Sequence, residues 1–348
     1  MPDQLRLTRR HSLALLLAAV LATRARAAPS PLTHLSLLSG TQGGSNLDAA
    51  CRAFAEVARS AVPGLVVDVE SQPSALAVRL CVEAAGRSDF LCFMPGGTIY
   101  TYLAGVSDQD GANLHSLTLV GALGADRRAL FVSTRTGIMN VPSLLARRDE
   151  LIVPTATANA ISHTETLLVR GTTGIPLRPV AGYSNAERKL ALMSGEASAV
   201  LGSVDTFQDL VDQGQLLPLL RLNDAGPSAP FAELPTLRQV AKGGEADTIC
   251  DLIDAVAATN TLVVGPPALT DDQVAVLVDL FSTVAPGLLA RKDPGLRPTD
   301  LVPSDRATLR ARFDRLFAQR TELSTAINYV LACARAGESN CVAAGNGS

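Results

Sequence analysis

Three observations predict an α/β fold. Short β-rich runs alternate with helical apolar patterns along nearly the whole chain, the signature of a mainly parallel sheet with helices on both faces. Apolar residues make up 47% of the sequence and charged residues 18%, which excludes wholesale disorder because there is ample surface to bury against the ordering entropy. The length of 348 residues leaves room for two domains or one large α/β unit.

Residues 1–27 stand outside that pattern. Arg6, Arg9 and Arg10 precede an apolar run from Leu13 to Ala22 and an Ala25-Arg26-Ala27 triplet, which together predict a cleaved secretory signal. The run is too short to span a hydrocarbon core of about 30 Å. The first cysteine is Cys51, so a lipid anchor at the cleavage point is not expected, and the predicted product is soluble and periplasmic.

The elements then follow in order. HLSLLSG (34–40) reads as a strand and NLDAACRAFAEVARSA as a helix with Leu47, Cys51, Phe54 and Val57 near one stripe. GLVVDVES (64–71), the helical ALAVRLCVEAAG and DFLCFMPGG (89–97) continue the alternation. LHSLTLVGAL (114–123) and RALFVSTRTG (128–137) are β-rich, PSLLARRD is helical, and ELIVPTATAN (150–159) is a strand with a polar end. SHTETLLVRGTTG is a helix closed by glycine. LRPVAGY (177–183), NAERKLALMSGE and ASAVLGSVDT (197–206) repeat the unit, and residues 262–289 carry a strand, a Pro-Pro break and a helix started by Thr270-Asp271-Asp272. From Pro303 the pattern is helical. Ligands of open α/β sheets bind off the carboxyl ends of strands, so the polar or small exits at 39–46, 95–98, 155–160, 182–185 and 203–206 are the candidate site loops.

Removing residues 1–27, with five arginines and Asp3, takes the formal charge from −3 to −7. An acidic protein without a basic run after residue 30 is not built for nucleic acid or an anionic membrane. There is no CxxC, and His34, His115 and His163 are widely spaced, so neither a metal nor another cofactor is predicted. All six cysteines survive cleavage, and Cys333 and Cys341 flank a Gly-Glu-Ser-Asn turn that could close the 331–348 tail with a disulfide.

The loop SGTQGGSN opens a helix whose N-terminus favours negative charge. It has neither the lysine of a Walker loop nor the glycine spacing of a dinucleotide fingerprint. Thr41, Gln42, Ser45 and backbone N–H groups are left as donors, while ordinary capping by Ser45 or Asn46, with Asp48 in the first turn, fits the same residues. Gly182-Tyr183-Ser184-Asn185-Ala186 resembles the elbow of α/β-hydrolases, but every histidine precedes Ser184 and alanine stands for the closing glycine. A thiol nucleophile with His163 as base is the other enzyme reading. His163 itself either caps and packs its helix or contacts a ligand.

Read together, segments from about 35 to 300 resemble the extracytoplasmic receptors of tripartite tricarboxylate transporters, also called Bug proteins. Gly43-Gly44-Ser45-Asn46-Leu47-Asp48 is comparable to their Gly-Gly-x-x-Asp loop, with one residue more before Asp48. Ser88-Asp89-Phe90-Leu91-Cys92 is comparable to an Asp-Gly-Tyr-Thr-type strand, and residues 117–145 to the crossover into the second domain. TATANAISHTETLL (155–168) resembles the second ligand loop, with alanines in place of glycines, and VAGYSNAERKLALMSGEASAV (180–200) resembles a GY-x-x-x-x-E-x-x-LA phrase. ELPTL (233–237) and GPPALTDDQVAVLVDLF (265–281) complete the order.

The resemblance implies a two-lobed periplasmic binding protein of type II, with lobe one at 31–128 plus 262–330 and lobe two at 129–261. It implies a monomer with no enzymatic activity, capturing a small organic anion, a carboxylate, for membrane permease subunits or a sensor kinase. In such receptors backbone N–H groups and hydroxyls hold the carboxylate, with no salt bridge. The implied site residues are Gly43, Gly44, Ser45, Asn46 and Asp48, flanked by Pro95, Gly96 and Gly97. Across the cleft stand Thr155, Thr157, Asn159, Ser162 and His163, then Tyr183 and Ser184, then Ser203 and Asp205. The competing functions are an exported hydrolase or thiol enzyme using Ser184 or a cysteine, and a receptor-like fold whose site has become a partner-binding surface.

Overall fold

The computed structural model describes residues 32–41, 43, 45–104, 114–124, 127–156, 158, 160–223, 231–291 and 303–336. The signal expected at residues 1–27 lies outside them, as do Gly44, Thr157, Asn159 and Cys341.

A six-stranded sheet is built around β1 (His34–Ser39), whose Leu35, Leu37 and Leu38 are all buried. β1 pairs in parallel with β2 (Val66–Ser71) on one side and β3 (Phe90–Pro95) on the other. The crossovers are α1 (Asn46–Ala61) and α2 (Ser74–Glu83), as parallel pairing requires. β10 (Thr261–Gly265) enters antiparallel between β3 and β4 (Thr118–Leu123), and β11 (Pro303–Ser304) closes the edge. α1 lays Phe54 against Phe93 of β3, with ring centroids 5.1 Å apart, and against Phe281 of α10 (Asp271–Leu289) at 6.3 Å. Gly121 on β4 lies under that last ring, where a Cβ would come within 2.3 Å of Phe281 Cε1.

The other strands form two smaller sheets. β5 (Arg128–Ser133) is buried along its whole length and sits between antiparallel β8 (Ala199–Ser203) and β9 (Leu216–Arg221). β6 (Leu151–Thr155) and β7 (Leu177–Ala181) pair in parallel, joined by α5 (Ile161–Thr173), which ends on Gly174 at φ +74°. α6 (Asn185–Ser194) follows β7, and α7 (Val204–Asp212) follows β8. Four further helices are α3 (Thr98–Leu103), α4 (Val141–Leu145), α8 (Leu237–Val240) and α9 (Ala246–Ala257). Two C-terminal helices divide their attachments: α11 (Arg306–Ala318) packs on β4, and α12 (Arg320–Ala336) packs on α5 and α9.

The α/β alternation expected from sequence is present. The departures have local causes. α3 has no counterpart in the sequence reading: TIYTYL is β-branched and aromatic, yet Ile99, Tyr100, Tyr102 and Leu103 are all buried, and that packing overrides intrinsic preference. The run 197–206 stops as a strand at Ser203, and Val204 opens a helix instead. β9 and α9 were not anticipated. The predicted link between Cys333 and Cys341 is corrected in part: Cys333 is a free, buried thiol, because α12 continues to Ala336 and holds its side chain in the core. Among the described residues no helix is long and apolar enough to cross a membrane.

Candidate functional site

A cleft of about 580 Å³ opens where chain exits from the different sheets meet. On one side stand Leu47 and Ala50 of α1, Pro95 at the end of β3, and Asn260 and Thr261 at the start of β10. The other side is formed by Ala156 after β6, the α5 start (Ala160, Ile161, Ser162), Arg128, α6, and the β8 exit from Gly202 to Phe207.

Of the residues implied by sequence, Pro95, Ser162, Ser203 and Asp205 line the cleft. The others take local structural parts. Ser45 caps α1 by accepting from Asp48 N at 3.1 Å and receives a bond from Thr41 at 2.5 Å. Asp48 is buried and accepts from Ser71 Oγ at 2.5 Å and Arg52 Nε at 3.0 Å. Gly43 is exposed. A Cβ on Gly96 would meet Thr259 O at 2.4 Å, and one on Gly97 would meet Ile161 Cβ at 2.9 Å, so both glycines permit close backbone packing. Thr155 is fully buried and shares a 3.0 Å hydrogen bond with His163 Nδ1. Tyr183 donates to Glu196. The Asn46 side chain, Gly44, Thr157 and Asn159 lie outside the described residues.

Neither enzyme reading gains support from this geometry. Ser184 caps α6 in a capping box with Glu187, which accounts for its place at the strand exit. Burial pushes the Cys51 thiol up to about 12, Cys250 to about 11 and Cys92 well above its ordinary range. Thiols so protonated are poor nucleophiles. Among the described residues no group of three His, Cys, Asp or Glu could hold a metal ion.

The sequence reading missed the charged wall. Glu165 of α5 is fully buried. It accepts from Arg128 Nε at 2.7 Å and Nη2 at 2.6 Å, and from Tyr100 of α3 at 3.3 Å. Burial, then the Glu165 charge, holds the Tyr100 hydroxyl protonated far above its ordinary range. Arg188 is 6% exposed. It donates to Pro154 O at 3.0 Å, Leu201 O at 2.7 Å and Asn185 Oδ1 at 3.3 Å, and its guanidinium lies 5.1 Å from the Phe207 ring centroid. Burial, and next the like charge of Arg128, lower Arg188 to about 10, with Glu165 pulling the other way. It therefore stays charged at neutral pH. Two signals for these residues were present: Arg128 opens the otherwise apolar run ALFV, and Glu165 falls on the stripe that buries Leu168 and Thr172. Charges on buried faces are rare unless paired.

No family model matches the sequence, and no curated protein matches it. Solved structures do match. A TctC solute-binding protein from Polaromonas superposes with TM-score 0.65 at 16% identity, covering 86% of this chain and 99% of the other. The periplasmic binding protein BugD gives 0.58 at 14% identity, with 88% and 98% covered. MatC from Rhodopseudomonas palustris, solved with bound malate, gives 0.58 at 16%, with 86% and 99% covered. The fold is thus that of the TctC and Bug solute-binding proteins, the two-lobed α/β type expected from the sequence.

Proposed function

We propose that this protein is an extracytoplasmic solute receptor that captures a small carboxylate in the cleft between two lobes. Lobe one carries the six-stranded sheet and lobe two the smaller sheets, the chain changing lobes about residue 128, where β5 begins, and about residue 261, where β10 begins. The observation that carries the reading is the position of the cleft. It lies off the carboxyl ends of β3, β6 and β8, strands of three different sheets, which is where α/β folds collect ligands. Ser162 and Ser203 supply hydroxyls and the α5 N-terminus supplies backbone donors, since Ala160 gives no side-chain cap there. The fold's resemblance to the malate-bound MatC supports a carboxylate as the ligand class. Exported and cleaved after residue 27, the monomer hands its ligand to membrane permease subunits, or reports it to a sensor kinase, through hinge closure of the lobes.

A thermal-shift screen of mono-, di- and tricarboxylates, aromatic acids and amino acids tests this. A ligand at a hundredfold over its Kd adds about 2.7 kcal/mol of stability. A blank screen, together with a hydrolytic activity lost in Ser184→Ala, overturns the receptor reading in favour of an enzyme.

A further inference from the structure

Charge pairing around the cleft is uneven. Arg128 is matched by Glu165, Arg127 by Asp205 at 2.7 Å, and Lys189 by Asp209 at 2.8 Å. Arg188 is the exception: among the described residues no carboxylate lies within 4.0 Å of its guanidinium, and its three acceptors are two backbone carbonyls and one amide. A guanidinium carries five N–H donors, so one on each terminal nitrogen has no acceptor among the described residues. Burying a cation without a counter-charge is costly. A neutral side chain could brace the same carbonyls without that cost, so bracing alone does not explain an arginine at this position.

The opposite wall differs. The N-terminus of α1, the expected anion loop, already has Asp48 in its first turn, and Asp48 is held by Ser71 and Arg52. A ligand carboxylate approaching there would meet a carboxylate already in place. The positive character of the cleft is therefore concentrated on one guanidinium.

Resting on the receptor reading above, we infer that Arg188 is the specificity-determining anchor of the cleft, pairing with the single carboxylate of a monoanionic organic acid whose remainder is uncharged. The planar fork presents its two remaining N–H groups to one carboxylate. A second carboxylate in the same ligand would enter a cleft whose other cations are already matched.

The test uses the whole signal-cleaved chain and calorimetric titration with matched pairs: butyrate against succinate, hexanoate against adipate, and 2-hydroxybutyrate against malate. The inference requires the better monoacid to bind wild type at least tenfold tighter than its diacid partner. It also requires Arg188→Gln to weaken that monoacid by ~10- to 100-fold, the scale of a lost charge-assisted hydrogen bond. Arg188→Lys, which keeps the charge, should recover part of the loss. If the diacids bind wild type as tightly or tighter, the inference is overturned while the receptor reading stands, and this arm needs no variant to fold. A folded Arg188→Gln protein, judged by its ligand-free circular dichroism, that binds the monoacid as wild type does overturns it equally. No binding by wild type to any of the six overturns the inference, and a blank in the broader thermal-shift screen beside it counts against the receptor reading as well.

Discussion

The two walls of the cleft solve the problem of buried charge in opposite ways. On the α1 wall every charge is answered from within the protein: Asp48 has Ser71 and Arg52, and the helix N-terminus has Ser45. On the wall formed by β5, α5 and α6, Glu165 answers Arg128, and Arg188 has no carboxylate within 4.0 Å among the described residues. A loop that looks like an anion site in sequence can thus be complete in itself. The site is better sought where the chain's own pairing stops.

The largest test of that contrast is Glu165→Gln. It leaves the Arg128 guanidinium buried with its matching charge removed, and unfolding by urea should show a loss of about 3–5 kcal/mol. A loss below 1 kcal/mol would mean that the pair adds little to the wall. Next come two glycines, one in each region. Gly121→Ala drives a Cβ into the Phe281 ring inside the six-stranded sheet's core, where three ring atoms lie within 2.7 Å, so a loss of about 1–3 kcal/mol is expected. Gly202→Ala meets Phe207 Cε2 at 2.6 Å, but that ring borders the cleft and can move into it. Stability should therefore fall less than in Gly121→Ala, while titration should show weaker ligand binding. Equal stability losses without a change in binding would erase the distinction.

A smaller effect is expected on the α1 wall. Ser45→Ala removes the cap and should cost about 1 kcal/mol in thermal unfolding, with carboxylate affinity changed less than twofold. A tenfold loss of affinity would return the opening loop to the site. The smallest effect is a pH dependence. Asp89 is held below its ordinary value of 3.8 chiefly by the hydrogen bond from Arg87, with a lesser contribution from His34. A carboxylate with a depressed folded-state pKa stabilises the native state above the unfolded value, and that contribution is lost as pH falls through the lower folded one. The group is 36% exposed, so the loss below pH 4 should be about 0.5 kcal/mol or less. Asp89→Asn should flatten that part of the stability–pH curve.

Much of the architecture was legible because apolar periodicity and helix caps are local. The long helix starts at Thr270 as expected, where Thr270 and Gln273 form a capping box, and Gly174 closes α5 as its sequence suggests. α3 was not legible, since its helical state depends on what Tyr100 and Tyr102 pack against. The site was partly legible for the same reason. Pro95, Ser203 and Asp205 follow from strand exits, which are local features, and Ser162 from the family resemblance. The pairing of Arg128 with a glutamate 37 positions along, and the lack of one for Arg188 among the described residues, are facts of three-dimensional arrangement.

The C-terminal helices carry one more consequence. α11 is fixed to the edge of the six-stranded sheet through β4, and α12 to α5 beside the cleft, with Gln319 alone between them. They act as a short strap across the molecule on the chain's way out. Under the proposed hinge closure, a widening of the cleft would draw on Gln319, a single residue and so the shortest link between the two regions.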